Sequence, residues 1–215
     1  MVVATEKFIP SFKRERELVK KGYNLIAGVD EAGLGPLAGP VVAAAVSFDS
    51  SNLRKIENLN DSKQLTEKQR EELFPIIYNR AKRVGVGIVS VNVIDAVNVY
   101  WAGRNAMIEA IKNMGELPDY ILIDGNKPID IDIPQESIVK GDSKSLSIAA
   151  ASIIAKVTRD RLMIKYDNVY PNYGFATHKG YPTPKHKEAV REYGVTPIHR
   201  KSFKFIQEIL SYSNI

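Results

Sequence analysis

Hydrophobic and polar positions along the chain fall into short apolar runs separated by amphipathic stretches, the rhythm of strands alternating with helices. Residues 25–29 (LIAGV) form one apolar run, closed by Asp30-Glu31, and residues 40–48 (PVVAAAVSF) form a second after a Gly/Pro-rich turn. Both predict buried strands. Thr66 is placed to cap a helix with Gln69 in the reciprocal position, and Leu73, Phe74, Ile77 and Tyr78 supply its apolar face as far as about residue 82. Residues 83–91 (RVGVGIVSV) alternate as a strand does, and residues 96–114 carry helical spacing until Gly115 stops it. The run YILI at 120–123 predicts a strand that ends in Asp124-Gly125. A Pro- and Asp-rich loop leads to a short strand over 137–139. A long helix then runs from 145 to about 166, its first turns rich in Ala and Ser and suited to close packing on a sheet. Residues 184–193 and 203–210 predict terminal helices. The order of elements indicates an α/β domain with a mixed sheet.

A length of 215 residues with 44% hydrophobic composition supports one main core. The sharpest shift in composition comes at 173–204, where Gly, Pro, His and basic residues gather. The expected organisation is an N-terminal arm or short helix over 1–22, a catalytic domain over 23–170 and a C-terminal helical element over 171–215. The balance of 30 Lys+Arg against 25 Asp+Glu gives a formal charge of +5, which favours a polyanionic partner without requiring one. Cysteine is absent, so disulfides and thiolate metal sites are excluded and any metal must be held by oxygen or imidazole. Glu6, Lys7 and Pro10 interrupt the N-terminus before a signal-peptide core could form, and no stretch approaches the ~18 apolar residues of a membrane helix. A cytoplasmic protein with no membrane partner is expected.

Three acidic positions follow apolar segments where the chain leaves its sheet: Asp30-Glu31, Asp124, and Asp142 before the long helix. An Asp at a strand end is ordinarily a turn or cap residue. Several carboxylates converging at sheet edges would instead repel one another unless a cation or proton intervened, and Mg²⁺ or Mn²⁺ is the natural match for hard oxygen ligands. Asp30 and Glu31 are neighbours and would face opposite sides of a regular strand, so both reach one centre only if the strand ends or twists there. The glycines that follow, Gly33, Gly35 and Gly39, are spaced G-x-G-x-x-x-G, which departs from the dinucleotide-binding fingerprint, and no P-loop is present.

The segment KGDSKS at 140–145 sets Gly, hydroxyls and lysines at the start of the long helix, where free backbone N–H groups favour an anion, although Ser143 or Ser145 could simply cap that helix. Asp61-Ser62-Lys63 has the composition of a surface turn. Between His178 and Lys204 lie seven Lys or Arg and all three histidines, with Tyr181 and Tyr193 interleaved. These residues suit either a solvated basic face or phosphate contacts beside a tyrosine platform. Their histidine spacing does not match a structural zinc site.

GVDEAGLGPLAGPVV (28–42), NDSKQL (60–65), ILIDG (121–125), KGDSKSLSIAAASIIAKVTRDR (140–161) and YGFATHKGYPTPKH (173–186) together resemble bacterial ribonuclease HII, the type 2 ribonucleases H, and follow that family's order over nearly the whole chain after Gly22. The resemblance implies a ribonuclease H-like mixed five-stranded sheet flanked by helices, with the first and fourth strands adjacent and parallel, and a C-terminal helical element. It implies catalytic and metal-binding roles for Asp30, Glu31, Asp124 and Asp142, with two ions, Mg²⁺ or Mn²⁺, in the catalytic complex and Asp30 shared between them. It also implies substrate contacts from Gly33, Leu34, Gly35, Lys63, Ser143, Lys144 and Tyr181, and RNA/DNA hybrid or ribonucleotide-containing duplex DNA as the partner of a monomeric enzyme. No protein partner is implied.

One position departs from the family pattern. The junction-sensing tripeptide of the family is Gly-Arg-Gly, and here it is Gly33-Leu34-Gly35. A metal-dependent phosphohydrolase of a small phosphorylated substrate would use the same carboxylates and anion site without an extended basic surface. A non-catalytic nucleic-acid-binding protein would use the basic C-terminal region alone and keep its affinity under chelation.

Overall fold

The structure is a computed structural model that describes residues 9–212. Five strands, β1 (Ile26–Ala32), β2 (Val41–Phe48), β3 (Ala81–Val89), β4 (Tyr120–Asp124) and β5 (Gln135–Ile138), form one sheet in the order β3-β2-β1-β4-β5. β2 runs antiparallel to both β1 and β3, whereas β1 pairs with β4 and β4 with β5 in parallel. The expected mixed sheet, with first and fourth strands side by side, is therefore present. Its helices are α1 (Lys13–Lys20), α2 (Glu67–Arg80), α3 (Val91–Lys112), α4 (Leu146–Val169), the single turn α5 (Phe175–His178), α6 (Pro184–Tyr193) and α7 (Lys204–Tyr212).

Every residue of β2 is buried because both faces of the sheet are covered. Ala44, Val46 and Phe48 pack with Leu73 and Ile77 of α2 and with Ile153 and Ile154 of α4. The alternate residues Ala43 and Ala45 meet Ala102, Ala106 and Met107 of α3 on the other side. The small residues opening α4 let it lie directly on β1. A Cβ on Gly28 would come within 2.2 Å of the Ser147 backbone, so only glycine fits there. Glu15 of α1, 2% exposed, ties the start of α4 in place by accepting hydrogen bonds from the Ser145 hydroxyl (2.6 Å), the Ser147 hydroxyl (2.7 Å) and the Ser147 N–H (3.1 Å). Of the arm expected at 1–22, residues 1–8 lie outside the described residues.

Beyond shifts of up to three residues at other element ends, such as β3 and β5 beginning two residues earlier than expected, three differences from expectation stand out. The first strand does not close at Asp30-Glu31 but continues to Ala32, because β2 keeps pairing with it: Asp30 faces Ala44 and Glu31 faces Ala43. The helix expected from 96 begins at Val91 and bends at Asn98, whose φ of 67° interrupts it. The Asn98 side-chain oxygen accepts from the Tyr100 and Trp101 amides at 3.0 and 3.2 Å and so recaps the second segment. The histidines and Arg200 of the basic C-terminal stretch do not form a solvated face. His186, His199 and Arg200 are each 0% exposed, in a cluster where Phe175, Val190, Ile198 and Ile206 pack on Leu37, Ala38 and Met163. Among the described residues, no helix is long and apolar enough to cross a membrane.

Candidate active site

Parallel pairing of β1 with β4 ends at Val29 and Ile123, so the next residues of the two strands, Asp30 and Asp124, stand together where neighbouring connections diverge, the usual place for a ligand site in an open α/β sheet. Asp142 arrives from a 3-10 turn, Gly141–Ser143, that feeds α4. The Asp124 carboxylate accepts the Gly141 N–H at 2.6 Å and so binds that turn to the end of β4. One carboxylate oxygen each from Asp30, Asp124 and Asp142 lies within 4.8 Å of the others.

Glu31 is not in that group of three. It projects from the other side of β1, as strand alternation requires, and lines the adjoining cleft beside Asp124. Its Oε2 is buried and has no hydrogen-bond partner. Asp30 is 4% exposed, and its Oδ1 accepts only the neighbouring Glu31 N–H, at 2.7 Å. Burial, with the negative charges of Glu31 and Asp124, pushes the Asp30 carboxyl well above the ordinary range. Burial and Asp124 likewise push Glu31 up to about 7, against the opposing pull of Arg104 and Lys63. Burial raises Asp142 too, offset in part by Lys63, whose ammonium donates to Asp142 at 3.1 Å.

A hard divalent cation fits this arrangement. The donors are all carboxylate oxygens, they repel one another as they stand, and one buried oxygen lacks any partner. Asp30, Asp124 and Asp142 could hold such an ion together, with Glu31 at the flank.

Beside the carboxylates opens a cleft of about 310 Å³ whose walls include Gly33, Leu34, Gly35, Lys63 and Tyr181. The expected substrate-binding turn and tyrosine therefore meet the expected metal centre. Gly35 abuts Tyr181, for a Cβ placed on it would lie 3.8 Å from the ring. Ser143 and Lys144 are not brought into the cleft: the Ser143 hydroxyl donates to the Lys140 carbonyl, and the Lys144 ammonium donates to the Val139 carbonyl, both at 2.8 Å.

Sequence reasoning passed over Arg70, Ser152 and Lys156, which also line the cleft. Lys156 stands 5.6 Å from the centre of the Tyr181 ring and pairs with Asp160 at 2.8 Å. The signal was available. Ser152, Lys156 and Asp160 recur every fourth residue along α4, a polar stripe between the buried Ile153, Ile154 and Val157, which marks a functional face.

Comparison with known proteins agrees with this geometry. The family model described as ribonuclease HII matches residues 27–206. Ribonuclease HII of Acetivibrio thermocellus is 58% identical over 88% of this chain and 73% of its own length, and that of Clostridioides difficile is 56% identical over the same shares. The crystal structure of ribonuclease H2 from Pyrococcus horikoshii superposes with a TM-score of 0.76 at 30% identity, covering 88% of this chain and 99% of that one. With a sheet of this order, carboxylates where the pairing of its two central parallel strands ends and relatives of this likeness, the chain belongs to the ribonuclease HII family and is a ribonuclease H.

Proposed function

We propose that the chain is an endonuclease that hydrolyses the phosphodiester bond 5' to ribonucleotides, in RNA/DNA hybrids and at single ribonucleotides embedded in duplex DNA, leaving 3'-hydroxyl and 5'-phosphate ends. The observation that carries this proposal is the meeting of three carboxylates within 4.8 Å of one another beside a cleft walled by the Gly33-Leu34-Gly35 turn and Tyr181. Asp30, Glu31, Asp124 and Asp142 are the catalytic, metal-holding groups, with Asp30 shared between two ions, Mg²⁺ or Mn²⁺. Two divalent ions, if held by these carboxylates, would lower the pKa of a water and offset charge on the leaving 3'-oxygen. Lys63 brings positive charge to the cleft for a phosphate, and Ser143, Lys144 and the start of α4, which lie outside the cleft wall, are contacts for a phosphate farther along the duplex. Tyr181 packs on the ribose, where the 2'-hydroxyl distinguishes RNA from DNA. In this scheme residues 1–22 are an N-terminal arm or short helix, which includes α1 (Lys13–Lys20), 23–170 the catalytic domain and 171–215 the C-terminal helical substrate-binding element of a monomeric cytoplasmic enzyme.

Leu34 modifies this scheme. Its side chain lies toward α3, with Cδ2 3.1 Å from where a Cβ on Gly103 would stand, and it offers no donor to a phosphate. A guanidinium at this position would add a charged hydrogen bond of ~1 to 3 kcal/mol. Backbone N–H groups of the turn remain available.

The test is cleavage of a labelled duplex carrying one ribonucleotide, beside an RNA/DNA hybrid and an all-DNA control. The natural chain is expected to cut both ribonucleotide-containing substrates and spare the control. Leu34→Arg should lower KM for the single-ribonucleotide duplex about tenfold and sharpen the cut at the RNA-to-DNA junction. Cutting of the all-DNA duplex would refute the proposed substrate, and identical KM and cut positions for the two proteins would refute the role given to position 34.

A further inference from the structure

The chain's three histidines lie in one cluster beneath the turn that carries Tyr181. His178 and His186 stack with ring centres 4.4 Å apart, His186 and His199 lie 5.2 Å apart, and Phe175 packs against all three. The carboxylate chemistry makes no use of them.

Their hydrogen bonds admit a single assignment of protons. His186 Nδ1 is 2.9 Å from the Tyr181 carbonyl oxygen, which can only accept, so Nδ1 carries the proton. Neutral His186 then has a bare Nε2, and the His199 Nε2 that lies 3.0 Å away must donate to it. His199 is left with a bare Nδ1, which receives the Thr196 N–H at 2.9 Å and the Thr196 hydroxyl at 2.8 Å. His178 donates from Nε2 to the Tyr173 carbonyl at 2.6 Å and accepts the Gly180 N–H on Nδ1 at 3.2 Å. An extra proton on His186 or His199 would set two N–H groups against each other. Burial opposes that proton, holding His186 down to about 4 and His199 down to about 3.

This chain of donors ends at Tyr181. The Tyr181 N–H donates to the His178 carbonyl at 2.9 Å and its carbonyl accepts the Thr183 N–H at 2.8 Å beside the His186 Nδ1–H, so His186 supplies the side-chain hold on this backbone, while the residue is 40% exposed beside the cleft. We infer that Thr196, His199 and His186 form a directional hydrogen-bond relay that presets Tyr181 for the sugar, making the two histidines positioning residues for substrate recognition. The inference rests on the role proposed above for Tyr181. A ring fixed in advance loses less freedom on binding, so the relay acts on substrate affinity rather than on hydrolysis.

Two measurements test it. Long-range hydrogen–nitrogen NMR correlation on histidine-labelled protein at neutral pH should find the proton of His186 on Nδ1 and those of His199 and His178 on Nε2. A proton on His186 Nε2, or a charged His186 or His199, would overturn the relay. In kinetics on the single-ribonucleotide duplex, His199→Leu should raise KM about tenfold, the weight of one buried hydrogen bond, with kcat changed less than about threefold. The same substitution made in Tyr181→Ala should raise KM no further. An equal rise in both backgrounds, or a loss confined to kcat, would overturn the inference. If Tyr181→Ala itself leaves KM unchanged while the NMR pattern is found, the relay stands as a structural feature, and what fails is the tyrosine's role together with the inference built on it.

Discussion

Replacing Asp30 by Asn is expected to lower cleavage on the order of a thousandfold and, in the absence of metal, to raise the melting temperature. The first effect follows from the proposed role of Asp30, the carboxylate on which the charges of Glu31, Asp124 and Asp142 all act: loss of its charge would remove several kcal/mol of cation binding and transition-state stabilisation. The second follows from repulsion. Asp30 is buried among Glu31, Asp124 and Asp142, and asparagine keeps an oxygen for the Glu31 N–H while removing one of the repelling charges. A relief of about 1 kcal/mol corresponds to ~2 to 4 °C in a chain of this size.

The sign of the pH dependence is fixed by the same shifts. A carboxyl whose folded pKa is raised costs no stability below its unfolded value near ~4, and the cost grows as pH rises toward the folded value. Asp30 is raised well above the ordinary range and Glu31 to about 7, so the gap in melting temperature between Asp30→Asn and the natural chain should be wider at pH 8 than at pH 5. Thermal unfolding in chelator, beside the cleavage assay, checks both effects. A variant that melts lower at pH 8, or that retains a tenth of the activity, would contradict the placement of Asp30 at the centre.

Replacing Arg200 by Lys should cost the fold ~3 to 5 kcal/mol, a fall in melting temperature on the order of 10 °C. Arg200 is 0% exposed, and its guanidinium donates to the carbonyls of Gly33 (2.6 Å), Leu34 (3.0 Å), Gly39 (2.9 and 3.0 Å) and Pro40 (3.3 Å). Burial and the neighbouring Arg159 push it down to about 9, which still leaves it protonated at neutral pH. Arg159 completes the hold, donating to Ala38, Pro40 and Lys179 carbonyls at 3.0 to 3.1 Å. A lysine ammonium is compact and cannot span carbonyls spread around a turn, so several would be left buried without a donor. The turn so released carries the cleft wall at 33–35, so KM for the ribonucleotide duplex should rise with the loss of stability. A melting temperature within ~2 °C of the natural chain would show that the guanidinium fork is dispensable.

Much of this architecture is legible in local pattern. The strands at 40–48 and 120–123, the Thr66–Gln69 cap and the helix at 184–193 all declare themselves through apolar periodicity and capping residues, and the structure has each of them. The features that escaped are set by distant partners. An acidic pair after an apolar run looks like a strand end, yet β2 carries the pairing on through Asp30 and Glu31. Arg200 reads as one more surface cation, but its partners are carbonyls more than 150 residues away, a demand that no window of sequence reveals. The histidines are spaced too irregularly to suggest a site, and only the packing of α5, α6 and the 196–199 turn brings their rings together. For the carboxylates, likeness to a known family supplied the expectation that local pattern left open. Parallel pairing of β1 with β4 is what brings Asp30 to Asp124.

The most direct test of the carboxylate centre is anomalous scattering from Mn²⁺ in crystals of the chain with its nicked product duplex. The expected result is a pair of peaks ~3.5 to 4 Å apart, both in contact with Asp30, with Asp124, Asp142 and Glu31 completing the ligands. Manganese bound elsewhere, with the Asp30, Asp124 and Asp142 oxygens left uncoordinated, would contradict the account.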